Sequence, residues 1–257
     1  MSVNLKRSRY APRLPTLEDQ SLEMLEKWMR QWPTPWVSIS GGKDSLVALH
    51  LARRINPDVP VAFFDSGLEF PQTLRYIDGL ARAWHLDLHT YHADPHPLDI
   101  MEANGAWEHG RPYTPGAISM HESLISQPLA AALRDLGPAC IYGVRADEAE
   151  NRRMYLTRAR GQVTKRAKDG TVLSAHISPA WRWSSEEVFA YIAKHDLPLN
   201  PVYRQQMELG VPEHRARVGL IIDGWSLEQG RWAVARALAP DECRRIEAAL
   251  PYLAEWR

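Results

Sequence analysis

Apolar positions along the chain switch between two spacings, and the switch marks the predicted elements. Over residues 16–31, Leu22, Leu25, Trp28 and Met29 recur at helical spacing, with Thr16 as a candidate cap. Pro33 and Pro35 end that helix, because the residue before a proline is pushed out of helical geometry. Trp36 to Ile39 then reads as a short buried strand, followed by a glycine turn and a helix over 46–53. The cycle repeats. Residues 59–66 predict a strand, and 70–84 a helix with Leu74, Ile77, Leu80 and Trp84 in register. Residues 86–91 predict a third strand, 123–136 a helix and 139–144 a fourth strand.

Strands alternating with helices predict βαβ units: an α/β fold with a parallel sheet covered by helices on both faces. Right-handed crossovers restrict the topology further. Residues 103–117, rich in Gly, Pro and aromatics, have no period and read as a long loop, either a lid or an irregular excursion.

Beyond the fourth strand the alternation stops. Asp169-Gly170 between two strand-like runs, within 163–178, predicts a β-hairpin. Ser184-Ser185-Glu186-Glu187 is a capping box for a helix reaching about His195. Residues 197–203 read as a proline-rich turn, and 227–250 as two helices split at Pro240. The expected organisation is an N-terminal arm and helix (1–32), a nucleotide-binding α/β domain (33–203) and a C-terminal helical extension (204–257).

Composition removes several function classes. Lys plus Arg and Asp plus Glu each total 31 in 257 residues, so net charge supplies no pull toward nucleic acid or membrane. Two cysteines, Cys140 and Cys243, are too few for an all-cysteine Fe–S cluster, a four-cysteine zinc site or a disulfide framework. No apolar run approaches a membrane span and the basic N-terminus lacks the apolar core of a signal peptide, so the expectation is a cytoplasmic protein without a membrane partner. Charge is uneven locally. Lys6, Arg7, Arg9 and Arg13 make a basic arm that could reach a partner protein or a second copy. Residues 145–168 carry eight Lys and Arg against Asp147, Glu148 and Glu150, which suits either an anionic ligand or a solvated, salt-bridged face.

The chemistry concentrates in Ser40-Gly41-Gly42-Lys43-Asp44-Ser45, at the junction of a strand and a helix. Glycines without β-carbons let backbone N–H groups approach an anion, and a helix N-terminus points free donors at the same spot. Ser40 and Ser45 add hydroxyls, and Lys43 adds positive charge. The spacing is not that of a Walker A loop, and no dinucleotide-binding glycine fingerprint occurs.

This hexapeptide resembles the PP-loop of the ATP pyrophosphatase (adenine nucleotide α-hydrolase-like) superfamily. Residues 63–78, 142–153 and 183–203 follow in the order of the phosphoadenylyl-sulfate (PAPS) reductase family, so the resemblance runs from about 36 to 203. It implies a doubly wound five-stranded parallel sheet in the order 3-2-1-4-5, with the hairpin and C-terminal helices appended. It also implies an adenine nucleotide held by Ser38, Ser40, Gly41, Gly42, Lys43, Asp44, Ser45, Asp65, Ser66, Gly143, Arg145, Arg152 and Arg153. The implied catalytic set is Lys43, Asp44, Arg145 and Asp147. Asp44, Asp65 and Asp147 would face Mg²⁺. Asp65 could instead cap a turn, Gly143 could serve a ribose or only a backbone turn, and the arginines could grip phosphate or sulfate or form surface salt bridges.

Three activities follow from the resemblance. The first is cleavage of the α–β bond of ATP to adenylate an unidentified acceptor, with release of pyrophosphate. The second is reduction of PAPS or adenylyl sulfate by an external thiol. The third is nucleotide binding within a nucleic-acid modification or defence complex. The family's Glu-Cys-Gly-x-His segment is reduced here to Glu242-Cys243 followed by Arg244-Arg245, inside a predicted helix, so the nucleophilic thiol is not expected from this chain. Cys140, in a predicted central strand, reads as a packing thiol. Trp107, Trp181, Trp183 and Trp225 are candidates for stacking a base or for packing, and His109 and His121 for acid–base work or simple exposure.

Overall fold

A computed structural model describes residues 11–104, 119–222, 231–251 and 253 of the chain. The helices are α1 Leu14–Gln31, α2 Lys43–Arg53, α3 Pro71–Trp84, α4 Pro97–Asn104, α5 Gln127–Leu136, α6 Glu150–Ala159, α7 Ser185–Lys194, α8 Pro201–Glu208, α9 Arg231–Leu238 and α10 Pro240–Ala249. The strands are β1 Trp36–Ile39, β2 Val61–Asp65, β3 Leu88–His92, β4 Ala139–Ile141, β5 Gln162–Arg166 and β6 Val172–Ile177.

The strands form one mixed sheet in the order β3-β2-β1-β4-β6-β5. β1 runs parallel to β2 and β4, and β4 runs parallel to β6. The expected 3-2-1-4-5 order therefore holds, but the fifth place belongs to the returning arm of the hairpin. The hairpin is not an appendage. β6 pairs Ala139 with Ala175 and Ile141 with Ile177, and all four side chains are buried. Its first arm, β5, then adds an antiparallel sixth strand at the edge. β5 is mostly exposed and carries Lys165 and Arg166, charges that discourage a further strand from docking.

Several boundaries differ from the periodicity. α1 begins at Leu14 with Pro15 in its first turn, where a fixed φ and a missing N–H are tolerated, so Thr16 lies inside the helix rather than capping it. Ahead of α5, Glu122–Ser126 winds as a π-helical turn in which Gln127 donates its N–H to the Glu122 carbonyl. Pro128 follows with no N–H to continue the ladder. The capping box of α7 forms as expected, Glu187 N–H donating to Ser184 Oγ at 3.2 Å and Ser184 N–H to Glu187 Oε2 at 2.7 Å. α4, α6 and α8 were not foreseen. The part of the long loop beyond Asn104, with Trp107 and His109, lies outside the described residues, as do Trp225 and most of the basic arm.

The chain divides into two compact units. The first comprises Met1–Phe63, Ile77–His89 and Ala132–Asn200. Its core includes Trp36, Val37, Leu46, Leu49, Ile141, Val188 and Tyr191, all but fully buried. The second comprises Phe64–Tyr76, Thr90–Ala131 and Pro201–Arg257. There Leu68, Phe70, Met101, Val202, Trp232 and Ile246 pack together, and Ile221 N–H donates to the Leu68 carbonyl at 2.7 Å. The stretch 33–203 contributes to both units. No described helix is long and apolar enough to cross a membrane.

Candidate functional site

The glycine turn lies in the first unit, between β1 and α2. Gly41 adopts φ 74°, a left-handed conformation that costs glycine little and other residues more. Gly42 is the extended N-cap of α2 and brings no side chain to it. The first N–H groups of an α-helix have no intrahelical acceptor, an arrangement suited to an anion.

Two hydroxyls hold the turn in shape. Ser45 Oγ donates to the Gly42 carbonyl at 3.0 Å and accepts from Ser40 N–H at 3.2 Å. Ser40 Oγ lies 3.2 Å from Ser45 Oγ and accepts from Gly42 N–H at 3.4 Å. Asn200, itself buried, donates to the Gly41 carbonyl at 3.2 Å. Sequence reasoning missed Asn200. The available signal was a single amide side chain within an otherwise apolar, proline-rich run. Ser38 is half-buried within β1, opposite Ala62 of β2.

Behind the turn is a buried charge cluster. Lys43 Nζ donates to Asp44 Oδ2 at 2.8 Å and lies 5.8 Å from the centre of the Phe189 ring. Arg145 Nε donates to Asp44 Oδ1 at 2.5 Å. One Arg145 Nη donates to the Trp183 carbonyl at 3.0 Å and reaches Asp147 Oδ2 at 3.4 Å. The Arg145 side chain is 4% exposed and Asp147 is 53% exposed. Both Asp44 oxygens thus face cations, and Arg145 braces the loop from inside the protein. Glu148 accepts from Arg145 N–H at 3.0 Å and from Arg152 Nη1 at 2.5 Å. Arg152 and Arg153 stand exposed on α6.

Gly143 explains how close these parts come. A β-carbon there would sit 2.3 Å from Ser45 N and 2.5 Å from the Asp44 carbonyl carbon. The space left by the missing side chain is filled by the backbone that opens α2.

Asp65 and Ser66 belong to the second unit. Asp65 Oδ1 accepts from Gly67 N–H at 2.8 Å, and Asp65 Oδ2 lies 3.3 Å from His92 Nδ1. Ser66 donates to Glu69 Oε1 at 2.8 Å through its hydroxyl and at 3.2 Å through its N–H. Burial, helped by a hydrogen bond with Asp65 and opposed by the Ser66 donors, pushes the Glu69 carboxyl up to about 7. Glu69 is a second residue whose part sequence reasoning did not identify.

Among the described residues no three His, Cys, Asp or Glu side chains converge as a metal ligand set. Of the residues expected to face Mg²⁺, Asp44 has both carboxylate oxygens engaged by cations.

Both thiols are buried. Cys140 lies in β4, where burial raises its pKa well above the ordinary thiol range. Cys243 lies in α10, 1% exposed, and burial together with the Glu247 charge pushes its thiol up to about 12. Arg244 and Arg245 pair with Asp241 and Glu242, so neither activates Cys243. Trp181 and Trp183 are buried, and Trp183 Nε1 donates to Ser21 Oγ at 3.1 Å, which makes them packing residues. His121 is exposed, its Nδ1 3.0 Å from Ser126 Oγ.

The family model for the phosphoadenosine phosphosulfate reductase domain matches residues 34–237. Among curated relatives, the phosphoadenosine 5'-phosphosulfate reductase of Xylella fastidiosa (strain M12) is 31% identical over 198 residues, covering 74% of this chain and 76% of the relative. That of Alkalilimnicola ehrlichii is 30% identical over 197 residues, covering 75% and 74%. Among solved structures, the phosphate complex of Candida auris PAPS reductase superposes with a TM-score of 0.53 at 19% identity, covering 86% of this chain and 97% of the other. Candida glabrata FMN adenylyltransferase with FAD and inorganic pyrophosphate gives a TM-score of 0.52 at 13% identity, covering 75% and 60%. At these identities the two structural likenesses concern the fold.

Proposed function

The chain belongs to the phosphoadenosine phosphosulfate reductase domain family, and we propose that it acts on a phosphosulfate adenine nucleotide with a reducing thiol supplied by another molecule. The carrying observation is that both thiols of a chain so similar to PAPS reductases are sealed in its interior. In this reading the backbone amides that open α2 receive the anionic end of PAPS or adenylyl sulfate. An external thiolate attacks the sulfur, the sulfur–oxygen bond to the phosphate breaks, and the nucleotide leaves. A second thiol then releases sulfite and forms a disulfide. The loop's donors stabilise charge that grows on the departing phosphate. Asp44 and Arg145 act as positioning residues.

A second reading is favoured by the same turn, which needs no thiol to serve ATP. The amides would hold the outer phosphates as a leaving pyrophosphate while an acceptor oxygen attacks the α-phosphorus. Mg²⁺ in that case would travel with the nucleotide.

One pair of assays separates the two. Incubation with PAPS and reduced thioredoxin or dithiothreitol is expected to release sulfite, and Cys243→Ala is expected to preserve the rate. Loss of sulfite release in Cys243→Ala, with folding intact, would overturn the external-thiol reading. Pyrophosphate and an acceptor–AMP adduct from ATP and Mg²⁺ with candidate acceptors, without sulfite from PAPS, would select the second.

A further inference from the structure

Residues 151–168 hold seven Lys and Arg and no Asp or Glu. They form β5 and all of α6 but its first residue, Glu150; each of the seven is exposed, and Arg152 pairs with Glu148. This run is unusual as packing. α6 buries a single residue, Leu156, whereas a surface helix ordinarily turns an apolar stripe of three or four residues per two turns toward the core. Instead, α6 turns apolar groups outward among the cations. Met154 is 62% exposed and Tyr155 is 49% exposed, and Leu173 of β6 is 56% exposed. Tyr155 Oη lies 3.3 Å from His176 Nε2, which holds the phenol against the hairpin. The 3₁₀ turn Ala146–Glu148 leads from Arg145, the brace of the glycine turn, almost directly into α6.

We propose that α6 and the β5–β6 hairpin bind single-stranded nucleic acid. Three features favour that partner over an acidic protein. Five of the seven cations are arginines, whose planar fork matches phosphate oxygens. The exposed ring of Tyr155 offers a face on which a base can stack. The open apolar groups stand among cations rather than forming the apolar centre, poor in charge, of a protein interface. A helix of about 15 Å beside a strand of about 17 Å gives the cations the reach of several nucleotides. The inference is independent of which nucleotide the glycine turn takes, because its test rests on Arg158, Lys165, Lys168 and Tyr155, none of them in the set expected to hold that nucleotide.

The test is fluorescence anisotropy with fluorescein-labelled oligothymidylate and oligouridylate of about 20 nucleotides, at about 50 mM salt. The wild-type chain is expected to bind, with affinity falling steeply as salt rises. The triple variant Arg158→Glu, Lys165→Glu, Lys168→Glu is expected to bind at least about tenfold more weakly, and its salt slope to shrink by about 2. Tyr155→Ala is expected to weaken binding about fivefold or more. Thermal melting of each variant, expected to match wild type, separates a lost surface from a lost fold. No binding by the wild type at about 100 µM would overturn the proposal. So would unchanged affinity in the well-folded triple variant, or equal affinity for a labelled polyglutamate peptide.

Discussion

Arg145 donates from Nε to Asp44 Oδ1 at 2.5 Å across 101 residues of sequence, while Lys43 holds the other oxygen at 2.8 Å. This pair fixes the segment after β4 against the first turn of α2. A residue type associated with phosphate binding is spent here on shaping the loop that would do the binding.

Arg145→Met would leave Asp44 with one cation and strand the Trp183 carbonyl. Removing one member of a buried ion pair costs about 3–5 kcal/mol. Urea unfolding is expected to show a loss of that order, and Arg145→Lys a smaller one, since an ammonium cannot reach both acceptors in the same geometry. A midpoint unchanged in Arg145→Met would count against the bracing role.

Gly143→Ala would place a methyl 2.3 Å from Ser45 N, against backbone that cannot rotate away. The opening turn of α2 must then shift. Calorimetric titration with PAPS or a non-hydrolysable ATP analogue is expected to show affinity reduced at least about tenfold, a change of 1.4 kcal/mol or more. Wild-type affinity in this variant would mean that the amide cradle is not where the nucleotide binds.

Glu69 predicts a pH dependence of stability. Its folded pKa, about 7, lies above the unfolded value of 4.5 because burial disfavours the charged carboxylate. The folded state therefore binds the proton more tightly. The resulting stabilisation is complete below pH 4.5 and is lost as pH rises to about 7. Glu69→Gln is expected to flatten this part of the stability curve. Denaturant midpoints measured from pH 5 to 8 would decide, and an equal slope in both proteins would refute it.

Ser184→Ala removes the hydroxyl that accepts from Glu187 N–H at 3.2 Å. The expected loss is about 1 kcal/mol, read from the denaturation midpoint.

The parts legible in the sequence are those coded locally. β1, the glycine turn, the Ser184 box and the break at Pro240 each carry their own signal of period, glycine, cap or proline. α6 escaped because its only buried apolar residue is Leu156, so it shows no amphipathic period. α8 was hidden because Pro201 at its start, a favourable first helical residue, reads equally well as a turn. The place of β6 beside β4 depends on a partner some thirty residues away, and hairpin periodicity says nothing about a third strand. The residues of the glycine turn were readable by type. The inward aim of Lys43 and Arg145 was not, since charge alone does not tell whether a cation faces a ligand or a neighbouring carboxylate.

The burial of Cys140 and Cys243 has a practical side. Maleimide and disulfide reagents act on thiolates, and neither native sulfur offers one at neutral pH. A cysteine introduced at the exposed Asp169 would be the one site in the folded chain to take a dye or spin label. Movement of the hairpin tip could then be followed by spectroscopy without first stripping the protein of its own sulfurs.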